Sequence, residues 1–287
     1  MNCGFIEPNM FAQQEALVKL LQDDDPHTVQ LVKDQLASAG EEWLPHLREL
    51  GSADNATVSR HVRDVVTRIH GNAACGDFSL LCHFFGEGVD LETAGWALAR
   101  ALEPEIPILP REYQVNEWGR EFLSRIHLAR SNTGRVEALS GFLAGELGFQ
   151  GNADSYYCVQ NSLLPRVIAN RRGIPISLTL LYMMVGSRAA MKIEGINLPG
   201  HFIARHGGVF FDPFHCGRIL CRCDIEEILL RQGLEFDESL LAPATPRQMM
   251  LRMLANLLYV YNQEGCCEKY ALVRGWMNAV RGSEPAA

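Results

Sequence analysis

The chain has no run of about 18 apolar residues, the length a helix needs to cross a bilayer, so no membrane-spanning segment is expected. It has no basic block longer than Arg171-Arg172, and its formal charge of -8 is spread along the chain. That balance argues against nucleic acid or an anionic membrane surface as the partner. The opening Met-Asn-Cys-Gly-Phe-Ile-Glu-Pro lacks the basic region and apolar core of a secretory signal. Paired C-x2-C spacing is missing too. The nine cysteines, at 3, 75, 82, 158, 216, 221, 223, 266 and 267, are scattered in a way unlike a disulfide scaffold, and reduced thiols in a cytoplasmic protein are expected. No glycine loop precedes a helix as a phosphate cradle requires. What is present is 47% hydrophobic content over 287 residues, enough for one sizeable core or two modest ones, and a small or peptidic partner is expected.

The first half reads as helices. Asp23-Asp24-Asp25-Pro26 is a start signal, with Asp25 as the cap, proline in the first turn, and Val29, Val32 and Leu36 on one face before Ser38-Ala39-Gly40. Trp43, Leu44, Leu47 and Leu50 repeat the helical period, and the two segments together predict one helical-repeat hairpin, too few for a solenoid. Further helices are predicted over 57–70, 90–103, 112–131 and 135–147, with a linker in the proline-rich stretch ending at Pro110 and a second boundary at Ser131-Asn132-Thr133-Gly134. From Lys192 the pattern turns to strands, 193–198, 201–205 and 209–212, broken by Pro199-Gly200 and Gly207-Gly208 into an antiparallel meander. Helices return over 224–232, 246–262 and 267–281. The fold class is α+β with a small sheet, divided into a helical N-terminal domain (1–131), a core (132–240) and a C-terminal helical hairpin (241–287).

Within that core, Ser177, His201 and Asp212 stand in the order of a nucleophile, its base and the group that orients the base. Pro175 marks a helix start and residues 178–185 are apolar nearly all round, so Ser177 falls in the first turn of a buried central helix, where helix-end N–H groups favour a developing anion. Capping of that helix by Ser177 is the alternative. A two-residue Gly207-Gly208 turn pairs Ile203 with Asp212, which sets His201 diagonal to Asp212 on one face of the sheet. Tyr157, Cys158 and Asn161 precede the central helix and are candidate cleft residues, Asn161 with an amide for substrate or oxyanion. His215-Cys216 with Cys221 and Cys223 gathers imidazole and thiol, but without the spacing of a structural zinc site, and neither metal nor other cofactor is expected.

The blocks Asn161-Ser162-Leu163, Arg171 to Leu178, Gly195 to Phe202 and Asp212-Pro213-Phe214 resemble the SirB-type branch of the transglutaminase-like superfamily, over at least residues 140–235. The resemblance implies a transglutaminase/papain-like core, a central buried helix on a small antiparallel sheet, behind a helical N-terminal region. It also implies Cys-His-Asp chemistry carried onto Ser177, His201 and Asp212, with serine in place of the superfamily's cysteine. Tyr157-Cys158-Val159-Gln160-Asn161 departs from the Tyr-Asp-Pro that precedes the Asn-Ser pair in related sequences. Two functions follow: a hydrolase or acyltransferase acting on peptide or amide groups, or an inactive regulatory or scaffold protein that binds a peptide or protein partner in the same cleft.

Overall fold

The computed structural model describes residues 8–51, 55–86 and 90–282, with the backbone alone for 8–14. In chain order the helices are α1 (Pro8–Leu21), α2 (Pro26–Ser38), α3 (Leu44–Gly51), α4 (Ala56–His83), α5 (Leu91–Leu102), α6 (Ile108–Ile126) and α7 (Asn132–Ser140), which runs on into a π-helical turn, Gly141–Glu146. Then come β1 (Gln150–Gly151), α8 (Leu164–Asn170), β2 (Arg172–Gly173) and α9 (Pro175–Arg188). Strands β3 (Ile193–Ile196), β4 (Ile203–His206), β5 (Val209–Asp212) and β6 (Arg218–Leu220) are followed by α10 (Arg222–Leu230), α11 (Pro246–Gln263) and α12 (Cys267–Gly282). The α+β class stands, with β6 and the short parallel pair β1–β2 beyond the strands predicted from sequence.

The contacts divide the chain into two compact units, one of the described residues up to Asp77 with Arg100–Glu105, the other of Phe78–Ala99 with the described residues from Ile106 on. Helix α4 runs unbroken well past the predicted residue 70, and α6 to α12 share one unit. In the first unit Asp25 caps α2, its carboxylate accepting from the His27 and Thr28 N–H groups. Val32 and Leu36 then bury against Leu47, Leu50, Val58 and Val62, the apolar stripes that the spacing prescribes.

In the second unit α9 is the spine. Eleven of its fourteen residues are buried, as an all-round apolar helix requires. The sheet runs β3-β4-β5-β6, antiparallel throughout. Gly207 and Gly208 both have positive φ (54° and 85°), the backbone a tight two-residue hairpin turn demands and other residues adopt at a cost. The resulting register pairs His206 with Val209 and Ala204 with Phe211, the pairing predicted from the turn length. Helix α10 covers one face of the sheet: Ile225 and Leu229 pack on Ile196, Ile203 and Leu220, each such buried side chain contributing about 1.5–3 kcal/mol. Helices α11 and α12 form the C-terminal hairpin. Among the described residues no helix is long and apolar enough to cross a membrane.

Candidate functional site

Asp212 ends β5 and caps the short helical turn Pro213–His215, and this local geometry builds the site. Its Oδ1 accepts from the backbone N–H groups of Phe214 (2.9 Å) and His215 (3.4 Å). Proline in the first position of the turn brings the third residue, His215, back beside the cap, so the His215 Nδ1 lies 2.7 Å from Asp212 Oδ2. The sheet register delivers His201 to the same oxygen, its Nε2 also at 2.7 Å. Burial pushes the Asp212 carboxyl up, but hydrogen bonding and charge from His201, then His215, overcome it and hold the group below the usual aspartate value. An ionised carboxylate only accepts, so both rings donate N–H to Oδ2, and all four acceptor positions of Asp212 are filled. In its neutral form His201 then carries a lone pair on Nδ1.

Asp212 is only 2% exposed, whereas the His215 side chain is 63% exposed, so the cluster runs from the core to the surface. It forms the floor of a cavity of about 400 Å³ whose walls come from β6 and α10, including Arg218, Asp224, Glu227 and Arg231. Arg218 pairs with Asp224 and Arg231 with Glu227, so the wall carries two cations and two anions. These four residues were missed in the sequence. The i,i+4 spacing of Glu227 and Arg231 put them on one helix face, but only the sheet decides that this face looks toward His201.

Ser177 lies elsewhere. It is fully buried at the first turn of α9, its hydroxyl donating to the Asn161 carbonyl oxygen (2.6 Å), with the Ile174 carbonyl at 3.0 Å, and accepting from the Ile174 N–H (3.1 Å). Its hydrogen bonds thus all go to backbone, and it does not line the cavity of His201 and Asp212. Asn161 is the other half of this clamp. Its side-chain amide donates to the Ser155 and Tyr156 carbonyls and accepts from Asn152, holding the loop before α8 with no spare donor for a substrate. Tyr157 is exposed and packs on Tyr156 and Tyr259, with ring centroids 5.0 and 4.3 Å apart. From Tyr156 an aromatic path continues through Phe214 to His201. Cys158 is half-buried and, like Tyr157 and Asn161, does not line the cavity.

One further sequence expectation changes. Cys221 and Cys223 are bonded to each other at the start of α10, so the expectation of reduced thiols fails for that pair; the remaining cysteines among the described residues form no disulfide. Arg171 ends α8 in left-handed backbone (φ 57°), and its guanidinium is sandwiched between Trp118 and Phe149, 4.5 and 4.6 Å from the ring centroids.

The family model of the transglutaminase-like superfamily matches residues 111–255, half of the chain. The chain belongs to that superfamily. The match takes in α9, the whole sheet and α10, and so contains the His201–Asp212–His215 cluster and the Ser177 clamp alike. Among similar proteins, a UPF0162 protein of Xylella fastidiosa is 36% identical over 140 residues, 44% of this chain and 49% of its own length. A UPF0162 protein of Pseudomonas aeruginosa is 29% identical over 182 residues, 61% of this chain and 65% of its own. Human F-box only protein 21 is 28% identical over 151 residues, 48% of this chain but 24% of its own. The chain spans about half the length of the first of these relatives. No solved structure matches it.

Proposed function

We propose that this transglutaminase-like protein, of the SirB-type branch, binds a peptide or protein partner through the cavity over His201, Asp212 and His215, and that Ser177 is a structural clamp and not a nucleophile. The observation that carries the reading is the engagement of the Ser177 hydroxyl: its proton goes to the Asn161 carbonyl and its lone pair to the Ile174 N–H, at full burial. A serine nucleophile needs a base within hydrogen-bond reach and a path for the carbonyl it attacks, and Ser177 has neither. The cavity walls suit a peptide instead. Two arginines and two carboxylates match its charged side chains and termini, and the imidazoles its amide groups.

The retained-hydrolase reading keeps one supporting observation, the 2.7 Å pair of His201 and Asp212, which orients an imidazole as a catalytic base is oriented. Two measurements on the full chain separate the readings. A fluorophosphonate probe should label neither wild type nor Ser177→Ala, and labelling of wild type that Ser177→Ala abolishes would overturn the binding reading. Peptides selected from a displayed random library on wild type should lose at least about tenfold in affinity on His201→Ala, since a hydrogen-bonding group in a cavity is worth about 1.4 kcal/mol or more.

A further inference from the structure

The cluster on the cavity floor has the make-up of a metal-ligand set. We propose that His201 Nε2, Asp212 Oδ2 and His215 Nδ1 bind a divalent first-row transition-metal ion. These three atoms lie within 4.8 Å of one another, with each nitrogen 2.7 Å from the carboxylate oxygen. Donors around a four-coordinate zinc ion, with bonds of about 2.0–2.2 Å, stand roughly 3.3 Å apart, so small rotations of the two rings suffice to open the set around an ion. Two imidazoles and one carboxylate favour zinc, iron, nickel or copper over magnesium or calcium.

Three further observations point to a cation. Asp212 is a nearly fully buried anion whose ion-pair partners among the described residues are imidazoles and not a Lys or Arg, so no permanent positive charge pairs with it directly. Its second oxygen is held by the Phe214 and His215 N–H groups, the supporting contacts that keep a metal-binding carboxylate aimed. The cavity above leaves room for water or a ligand in the remaining coordination position, which is the build of an open site and not of a closed structural one. Binding requires both ring nitrogens that now face Asp212 to give up their protons, so the His201 tautomer changes from Nε2–H to Nδ1–H and that of His215 from Nδ1–H to Nε2–H.

The inference goes beyond the peptide-binding reading and can fail alone. The test uses the full chain without an affinity tag, freed of metal with a chelator and titrated with Co²⁺ as the probe, with Zn²⁺ in competition. One equivalent should bind and develop the visible absorption of a low-coordinate cobalt centre, Zn²⁺ should bleach it, and Mg²⁺ should not. His215→Ala, at an exposed position that does not threaten folding, should weaken binding by about 100-fold, the upper end of what loss of a mere supporting partner does. His201→Gln should do the same. The Cys221→Ser/Cys223→Ser double variant is the control against the other donor group, Cys221, Cys223 and Asp224, and should bind as wild type does. Imidazole nitrogen spectra should report the tautomer change on adding Zn²⁺. Absence of one-to-one binding, or binding that survives His215→Ala and is lost in the cysteine variant, overturns the metal site. If peptide selection on the metal-free protein still yields His201-dependent binders, only the metal inference falls.

Discussion

The two ends of the Ser-His-Asp set, Ser177 on one side and His201 with Asp212 on the other, are built from polar groups and end in opposite environments. At the serine end the hydroxyl's hydrogen bonds all go to backbone inside the core. At the histidine end a buried carboxylate holds two rings that reach to the surface of a charged cavity. The difference teaches that an ordered set of catalytic residue types fixes neither access nor partnership. The side chain that caps and clamps has its hydrogen bonds filled by backbone, whereas the rings held by Asp212 line a cavity.

The sharpest way to break this contrast is at Asp212. Asp212→Ala leaves two backbone N–H groups and two imidazoles without their acceptor and should cost about 3 kcal/mol, read as a lowered midpoint in urea unfolding with unchanged slope. A loss under about 1 kcal/mol would mean the cluster is not the anchor of the site.

Next in size is Ser177→Ala, which strips the Asn161 carbonyl and the Ile174 N–H of a partner in the dry core and should cost about 2 kcal/mol. A neutral or stabilising outcome would show that the hydroxyl is held for function and not for the fold. Gly173→Ala attacks the same clamp from outside, because the added methyl would stand 2.7 Å from the Ser177 Oγ and 3.1–3.2 Å from Leu178 and Val167. About 1–2 kcal/mol of destabilisation is expected, checked by thermal unfolding.

The smallest effect belongs to a half-buried counterpart of the buried pair. Glu194 and Arg205 are opposed across β3 and β4 and joined by two hydrogen bonds. Hydrogen bonding from Lys192, then from Arg205, holds the Glu194 carboxyl below its ordinary value. A depressed carboxylate adds stability above its unfolded-state value and loses it as the pH falls through the folded-state value. Wild type should therefore exceed Glu194→Gln by about 0.5 kcal/mol at neutral pH, and the two curves should converge in acid. A gap that persists at low pH would mean that Glu194 acts through packing and not charge.

Much of the fold was legible because it rests on local rules. The Asp25 cap, the apolar faces at Val32 and Leu36, the all-round apolar run of α9 and the two-glycine turn each act over a few residues, and each appears as read. The turn even set the register that brings His201 to Asp212. Less was legible where the chain has no period to show: β6 is three residues long, α4 runs on past its predicted end, and the π-helical turn after α7 has no sequence signature of its own. At the site, His215 was visible as a metal-type ligand beside cysteines, but its partner proved to be Asp212, three residues back through a proline turn.

By itself, then, the sequence determined the α+β class, the buried helix, the hairpin register and the residues from which a site had to be made, because caps, periods and turns are short-range physics. Only the tertiary structure decided what those residues meet. Whether a hydroxyl meets an imidazole or a carbonyl depends on where α8, α9 and the sheet come to rest after packing, and the packing seals Ser177 onto Asn161 while it leads from the buried Asp212 through His201 to the exposed His215.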